Sequence, residues 1–216
     1  MVIYPIKRVF GLIGSPRAGK DEVANFLTET RGFKRLAFAD KIKEECGISI
    51  QDFEMAKING NISQIRQKLW DYSSNIRKTD PTYFIRLIIE EATKIDNSVV
   101  ITDIRTYDEI KAVENIGSIY WVINTIECNI DDDGMIKGSK LHYDTNIKQA
   151  KIKRIENQFD GIFNFYKYLE QYFYKEDIMD LIGPIDSSDC DEHKQKIHNL
   201  RTMMSNYISQ FEVKPK

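Results

Sequence analysis

The sequence feature that most constrains the fold is a short glycine-bounded turn between an apolar run and an amphipathic segment. The run Val9–Ile13 contains no polar residue and predicts a buried strand. The turn that follows has the spacing Gly14-x-x-x-x-Gly19-Lys20, and apolar residues return behind it at helical spacing. Strand, glycine-bounded loop and helix, in that order, are typical of a phosphate-binding P-loop.

The turn carries the groups that bind phosphate. Its backbone N–H groups point inward beside a helix N-terminus, which adds partial positive charge, so the loop forms a nest for anions. Lys20 is placed to reach the β- and γ-phosphates of a nucleoside triphosphate, and it is the first candidate catalytic residue. Arg17, a further candidate, either flanks these phosphates or faces solvent. The predicted ATP-binding residues are Gly14, Ser15, Pro16, Arg17, Ala18, Gly19, Lys20 and Asp21.

The residue after the lysine departs from the common P-loop pattern. That residue is usually serine or threonine, whose hydroxyl binds Mg²⁺, and here it is Asp21. A carboxylate is an equally hard oxygen ligand and can hold the ion directly or through a water. Asp21 is therefore a predicted metal ligand, and Mg²⁺ is the predicted cofactor alongside ATP. The alternative is an aspartate that only caps the following helix.

A second group of polar residues follows the β-branched run Ser98–Thr102, which predicts a buried parallel strand. Asp103 stands where this strand ends, at the sheet edge where α/β proteins bind ligands. It can join the Mg²⁺ shell or polarise an acceptor phosphate, or it can cap the helix that follows. Arg105 can clamp an acceptor phosphate with two parallel hydrogen bonds, or form an ion pair with Glu109. Both are candidate catalytic residues.

Composition argues against several other classes. The chain of 216 residues has 42% apolar and 30% charged residues, which is ordinary for a globular protein. Its formal net charge of −2 gives no overall field for nucleic acid or membrane, and no apolar run approaches membrane length. The three cysteines are widely spaced, which favours reduced thiols in the cytoplasm over a disulfide framework or a zinc site.

Strand-like and helix-like segments alternate along the chain. The predicted strands are Val9–Ile13, Phe33–Phe38, Ser98–Thr102, Ile119–Ile123 and Asp160–Asn164. Asp40 is predicted to cap a short helix over 41–45, and Asp80 with Pro81 to begin a longer one. The stretch 47–61 is mixed and carries only a turn signal. The alternation predicts an α/β fold of the P-loop NTPase type, with a parallel sheet and helices on both faces.

A lysine-rich excursion is predicted late in the main domain, which we expect to cover residues 1–176. Residues from about 127 to 158 are polar and weakly apolar, which indicates a mobile segment outside the core. Lys137 and Lys140 within it can close over the phosphates as a lid and exclude water, which a kinase needs to avoid hydrolysis. The alternative is a solvated loop.

The chain ends in a predicted helical extension over 177–216. An apolar stripe lies within 189–216 at helical spacing, and an exposed apolar face of that length is rare on a monomer. We therefore expect it to pack either on its own chain or on a second copy. Two-fold dimers are the commonest assembly of identical chains. A homodimer formed through 189–216 is the alternative we favour.

Taken in order, several of these stretches resemble the P-loop deoxynucleoside monophosphate kinases of bacteriophages and their bacterial relatives. The loop resembles the family's loop, including the lysine followed by aspartate, and Asp103-x-Arg105-x-x-x-Glu109 is similar to a family signature. The other similar stretches are Phe38–Glu44, Arg66–Leu69, Asp80-Pro81 with Phe84–Arg86, and Ile162–Asn164, the last resembling a final strand that ends in asparagine. The segment after Asp189 has no counterpart in the family.

The resemblance implies a nucleoside monophosphate kinase-like fold and the transfer of the γ-phosphoryl group of ATP to a (deoxy)nucleoside monophosphate. It implies that Lys43 and Arg66 contact the acceptor together with Asp103 and Arg105. Two alternatives remain at this point. One is a P-loop kinase of another small acceptor, such as dephospho-coenzyme A. The other is a nucleotide-binding module without catalysis that assembles through its C-terminal helix.

Overall fold

A five-stranded sheet forms the centre of the protein. The structure is a computed structural model that describes residues 7–124, 136, 141, 152–159 and 161–182. Its strands are β1 (Val9–Ile13), β2 (Lys34–Ala37), β3 (Val99–Thr102), β4 (Ser118–Asn124) and β5 (Ile152–Asn157). They lie in the order β2-β3-β1-β4-β5, and every neighbouring pair is parallel. All five carboxyl ends therefore meet at one edge of the sheet.

Helices connect the strands and continue after the last of them. They are α1 (Lys20–Arg31), α2 (Phe38–Glu45), α3 (Ile50–Ile58), α4 (Ile62–Thr79), α5 (Tyr83–Lys94), α6 (Tyr107–Glu114) and α7 (Ile162–Ile182). A parallel sheet whose first strand runs through a glycine-bounded loop into a helix is the architecture expected for a P-loop NTPase-type fold. The predicted fold class is confirmed.

The main core lies on the face of the sheet that α5 and α6 cover. Alternate strand residues such as Val9 and Ile13 face it and pack with Phe84 of α5 and Val113 of α6. On the other face, the ring of Phe10 contacts those of Phe33 and Tyr120, and α1 packs near β2 and β3. Helices thus cover both faces, as the sequence predicts.

The last strand differs from its predicted position. Residues 152–157, inside the predicted lid segment, form β5 beside β4, whereas 162–164 begin α7 instead of forming a strand. Earlier in the same segment Ile136 and Leu141 are buried in the main core, and the Ile136 N–H donates to the Leu141 carbonyl. Lys137 and Lys140 lie outside the described residues.

Three helices begin or occur where the sequence did not place them. Helix α2 begins at Phe38, so Asp40 lies inside its first turn and is not its cap. Helix α5 begins at Tyr83 with Thr82 as its N-cap, and the Asp80 carboxylate accepts from the Thr82 N–H. Helix α3 was not predicted, although Ser49 and Asp52 form a capping box at its start.

The chain divides into two compact units, residues 1–157 and 158–216. In the second unit, aromatic side chains form a continuous row along α7 and the residues before it. The ring of Phe159 lies 5.0 Å from that of Tyr168, and the ring of Tyr172 lies 5.3 Å from that of Phe173. In the part of the chain that the structure describes, no helix is both long and apolar enough to cross a membrane.

Candidate active site at the carboxyl edge of the sheet

The P-loop leaves β1 through a glycine that no other residue can easily replace. Gly14 has a φ of +147°, and a Cβ at this position would lie 2.4 Å from the carbonyl oxygen of Val122 in β4. Gly19 has a φ of 101° and forms the N-cap of α1, a left-handed conformation that glycine adopts without a steric penalty. Both glycines of the motif are therefore required by the path of the backbone.

Two residues between these glycines differ in exposure. Ser15 is buried, and the Ala18 N–H donates to its carbonyl oxygen at 3.3 Å, which closes the turn. Arg17 is exposed and has a φ of 63°, a left-handed conformation that is unfavourable for a residue with a side chain. The Arg17 guanidinium makes no hydrogen bond or ion pair with any described residue, so it is available to a ligand.

Lys20 is folded over its own loop. Its Nζ donates to the carbonyl oxygens of Gly14 at 2.8 Å and Ser15 at 2.7 Å. Burial lowers the pKa of this ammonium group, the carboxylates of Asp21 and Asp103 oppose that shift, and the positive charge of Arg105 adds to it. The ammonium group therefore lies within electrostatic reach of all three predicted side chains.

Asp21 stands at the start of α1 and is largely free for a ligand. Its side chain is 82% exposed, and one carboxylate oxygen lies 3.8 Å from Nη2 of Arg35. The same arginine approaches Asp40 of α2 at 3.3 Å. Because ion pairs between exposed groups contribute little, the pair with Arg35 leaves the Asp21 carboxylate able to take a metal ion.

Asp103 holds the start of α2. Its two carboxylate oxygens accept hydrogen bonds from the backbone N–H groups of Phe38 and Ala39, both at 2.9 Å. It has a φ of 60°, an uncommon conformation for a residue other than glycine. Burial raises the pKa of its carboxyl group to about 6, although the two N–H groups and the charge of Arg105 act in the opposite direction.

The helix after Asp103 has a different cap. The Thr106 hydroxyl accepts from the Glu109 N–H, and the Glu109 carboxylate accepts from the Thr106 N–H at 3.0 Å. The alternative of Asp103 as the cap of α6 is therefore wrong. Glu109 also accepts from the backbone N–H of Arg105 at 2.7 Å. The Arg105 guanidinium makes no hydrogen bond or ion pair with any described residue, so the alternative of an ion pair between Arg105 and Glu109 is not observed.

The residues that the family resemblance adds lie on helices α2 and α4. Lys43 of α2 forms an ion pair with Asp40 at 2.7 Å, and its Nζ lies 4.5 Å from the centre of the Phe53 ring. Arg66 of α4 is exposed and makes no hydrogen bond or ion pair with any described residue. Contacts within the chain hold Lys43, whereas no contact of this kind holds Arg66 in the part of the chain that the structure describes.

Three residues near the site were missed by sequence reasoning. The Asn157 side chain, at the end of β5, donates from Nδ2 to the Ala18 carbonyl of the P-loop at 3.1 Å. Arg35 links Asp21 to Asp40, and Arg77 of α4 approaches Glu109 at 3.8 Å. A strand that ends in asparagine was expected, but it was assigned to the wrong residues.

No protein-family model and no curated protein sequence matches the chain. Solved structures resemble it in fold. TT1252 from Thermus thermophilus is 14% identical over 79% of this chain and 97% of its own, with a TM-score of 0.47. Shikimate kinase from Aquifex aeolicus is 11% identical over 79% of this chain and 98% of its own, with a TM-score of 0.44. Shikimate kinase from Acinetobacter baumannii, in complex with shikimate, is 14% identical over 93% of this chain and 95% of its own, with a TM-score of 0.33. At these identities and TM-scores the likeness assigns no substrate to the chain.

Proposed function

We propose that the protein transfers the γ-phosphoryl group of ATP to a (deoxy)nucleoside monophosphate and releases two nucleoside diphosphates. One observation carries the proposal. The P-loop ammonium of Lys20 lies within electrostatic reach of Asp103 and Arg105, which end the neighbouring strand β3 at the same edge of the sheet. Phosphoryl transfer depends on positioning and charge neutralisation more than on covalent chemistry, and this edge supplies both.

The donor side of the proposal rests on the P-loop. In the ligand-free chain the Lys20 ammonium is bound by the carbonyl oxygens of Gly14 and Ser15, which are weaker partners than a charged phosphate oxygen. We expect phosphate oxygens to replace one or both of them. Arg17, exposed on the same loop, adds a second positive charge beside the transferred group.

The acceptor side rests on the family resemblance together with the placement of the basic residues. The Arg105 guanidinium, next to the end of β3, makes no hydrogen bond or ion pair with any residue that the structure describes. A guanidinium binds a phosphate monoester with two parallel hydrogen bonds. Arg66 and Lys43 add positive charge from the helices α4 and α2. We further propose that Lys137 and Lys140 close over the bound phosphates as a lid.

Mg²⁺ fits the donor set. Among the described residues no group of three or more histidine, cysteine, aspartate and glutamate side chains could hold a metal ion alone. This suits Mg²⁺ in a kinase, which keeps several waters and is bound by phosphate oxygens with one or two carboxylates. Asp21 supplies an exposed carboxylate, and Asp103 lies within electrostatic reach of Lys20. The ion, when bound, neutralises charge on the phosphates.

Replacement of Asp21 by asparagine is expected to raise the Mg²⁺ concentration that gives half-maximal activity by about tenfold and to leave the fold intact, because it removes a charged oxygen ligand. A Mg²⁺ titration of initial rates at saturating ATP measures the effect. Glu22→Gln is the matched control, since it removes one negative charge from the same helical turn. Equal shifts in both variants would mean that Asp21 acts only through its charge at the helix N-terminus.

Replacement of Asn157 by alanine is expected to raise the KM for ATP about threefold to tenfold, with little effect on the KM of the acceptor. The Asn157 amide at the end of β5 donates to the Ala18 carbonyl of the P-loop. Without this hydrogen bond the loop is held less firmly in the conformation that binds phosphate, which weakens ATP binding. Steady-state kinetics with each substrate varied in turn measures this. Asn97→Ala is the control, because it removes an amide contact to the Gly32 carbonyl away from the loop. An unchanged KM for ATP would contradict the expected role.

We also propose a homodimer formed through residues 189–216, which lie outside the described residues. Light scattering on the full chain and on a chain ending at Ile185, beyond the end of α7, tests this. We expect a dimer for the full chain and a monomer for the shortened one, because the shortened chain lacks the apolar stripe. The same number of chains per particle in the two samples would reject the proposal.

A panel of acceptors separates the proposed function from its alternatives. Release of ADP from ATP and Mg²⁺ is measured with each deoxynucleoside and ribonucleoside monophosphate, with dephospho-coenzyme A and with shikimate. We expect turnover with at least one monophosphate and none with the other acceptors. Turnover only with dephospho-coenzyme A or shikimate would assign another small-molecule kinase. ATP binding without turnover on any acceptor would favour a nucleotide-binding module.

A further inference from the structure

Glu109 does more than cap its own helix. In an ordinary capping box the third residue of the helix binds the N–H of the N-cap residue, here Thr106. The Glu109 Oε2 accepts that hydrogen bond at 3.0 Å and also a shorter one, 2.7 Å, from the preceding N–H of Arg105. The residue is 4% exposed, so its carboxylate fixes the backbone of Arg105 from inside the protein.

The other oxygen of this carboxylate faces a residue from a different helix. Oε1 of Glu109 lies 3.8 Å from Nη2 of Arg77, which comes from the last turn of α4. The Arg77 guanidinium also lies 5.3 Å from the centre of the Phe84 ring, and Phe84 is buried in α5. The arginine is thus held on two sides, and its charge offsets the cost of burying Glu109.

Helix α4 also carries a residue of the proposed acceptor site. Arg66 precedes Arg77 by eleven residues, which is about three helical turns, so the two side chains leave α4 on nearly the same face. Arg66 is exposed toward solvent, whereas Arg77 reaches the carboxylate that holds Arg105. A displacement of α4 therefore acts directly on Arg66 and, through Glu109, on the backbone that carries Arg105.

We propose that Arg77 and Glu109 are positioning residues that set the place of Arg105 relative to helix α4, and so determine affinity for the acceptor phosphate. The inference rests on the proposed function, because it takes Arg105 and Arg66 as acceptor contacts. It predicts that loss of the ion pair raises the KM of the acceptor and leaves the KM of ATP unchanged, since no described contact joins Arg77 or Glu109 to the P-loop residues 14–19. A purely structural ion pair would instead lower stability and leave both KM values unchanged.

The test compares three variants that change the pair in different ways. Arg77→Met keeps an apolar stem against Phe84 and removes the charge, Arg77→Lys keeps the charge, and Glu109→Gln keeps an oxygen acceptor and removes the negative charge. Lys41→Met is the matched control, because it breaks the ion pair of 2.7 Å between Lys41 and Glu91 that joins α2 to α5. Each variant is assayed for the KM of the acceptor and of ATP, for kcat and for Tm.

We expect Arg77→Met to raise the KM of the acceptor about tenfold while the KM of ATP stays within about twofold, an effect typical of groups coupled through one network. Arg77→Lys should recover part of the loss, and Lys41→Met should leave the acceptor KM near that of the original chain. An unchanged acceptor KM in a folded Arg77→Met protein, or equal increases for both substrates, would overturn the proposal. Should Arg77→Met fail to fold, the same comparison is made between Arg77→Lys and Glu109→Gln.

A second measurement is independent of the acceptor. Hydrogen exchange of the backbone amides of Arg105 and Thr106, both of which donate to Glu109, is followed in the same variants. We expect exchange at these two amides to be about tenfold faster in Arg77→Met and unchanged in Lys41→Met. If no acceptor is phosphorylated by the unmodified protein, the proposed function fails. The exchange data alone then decide whether Arg77, through Glu109, holds the backbone of Arg105. Unchanged exchange at both amides would overturn it.

Discussion

Replacement of Lys20 by methionine is expected to lower turnover by about a hundredfold or more while the protein remains folded. The Lys20 ammonium lies against the loop that forms the predicted phosphate nest. A preorganised charge that meets developing negative charge contributes most in the transition state. Its hydrogen-bond partners among the described residues are the carbonyl oxygens of Gly14 and Ser15 within the loop. The methionine variant therefore loses no described hydrogen bond to another element of the fold.

The measurement compares kcat, the KM of ATP and the circular dichroism spectrum of the variant with those of the original chain. Lys34→Met is the control, since Lys34 is an exposed lysine at the start of β2, away from the edge where the strands end. Near-normal turnover in folded Lys20→Met protein would remove the phosphoryl-transfer proposal altogether, because no other described residue takes the place of this ammonium group in the P-loop.

The buried strands could be read from the sequence because each is defined by its own residues. The runs that became β1, β3 and β4 are apolar and β-branched, as expected for strands covered on both faces. The edge strand β5 has the sequence Ile-Lys-Arg-Ile-Glu-Asn, in which only Ile155 is buried. An edge strand tolerates charges, so this stretch was interpreted as part of a lysine-rich loop.

The caps and the clamps of the site could not be read because they join residues far apart in the chain. Local reasoning gave α2 a cap from Asp40, two residues inside the helix, whereas Asp103 supplies it from the end of β3. The contact of Asn157 with Ala18 spans 139 positions of the chain. The P-loop, in contrast, was predicted correctly as a turn because glycine spacing and helix start lie within one short segment.

Replacement of Asp103 is the second change with a large expected effect. In Asp103→Ala the part-buried N–H groups of Phe38 and Ala39 lose their only described acceptors. The loss costs at most about 1–3 kcal/mol for each donor, the range for fully buried groups. We expect lower stability and a fall in kcat/KM for the acceptor of about a hundredfold, because small displacements of positioned groups have effects of this size. Ser49→Ala, which removes the N-cap of α3, is the control for losing a cap alone.

Asp103→Asn separates the charge of this side chain from its shape through the pH dependence of activity. Burial raises the pKa of the Asp103 carboxyl group to about 6, so above this pH the group is ionised and both oxygens accept from α2. We expect kcat/KM for the acceptor to fall as the pH drops through about 6. An acceptor phosphate also titrates near pH 6, but its contribution persists in Asp103→Asn. An acid limb of the same size in both proteins would contradict a role for Asp103 in it.

The stability of the same two proteins should change with pH in the opposite sense to activity. The folded-state pKa of Asp103, about 6, lies above its ordinary value of 3.8, so between these values the folded protein binds a proton that the unfolded chain does not. The contribution of Asp103 to stability is therefore greatest below pH 3.8 and is lost as the pH rises through about 6. Glu109, whose pKa burial also raises, is present in both proteins, so its contribution largely cancels in their difference.

Urea unfolding from pH 4 to 8 should show the free energy of unfolding of the original chain, relative to Asp103→Asn, decreasing over this window while activity increases. A difference that grows with pH would mean that the ionised carboxylate is stabilised in the fold, and that its position beside Lys20 and the start of α2 outweighs its burial.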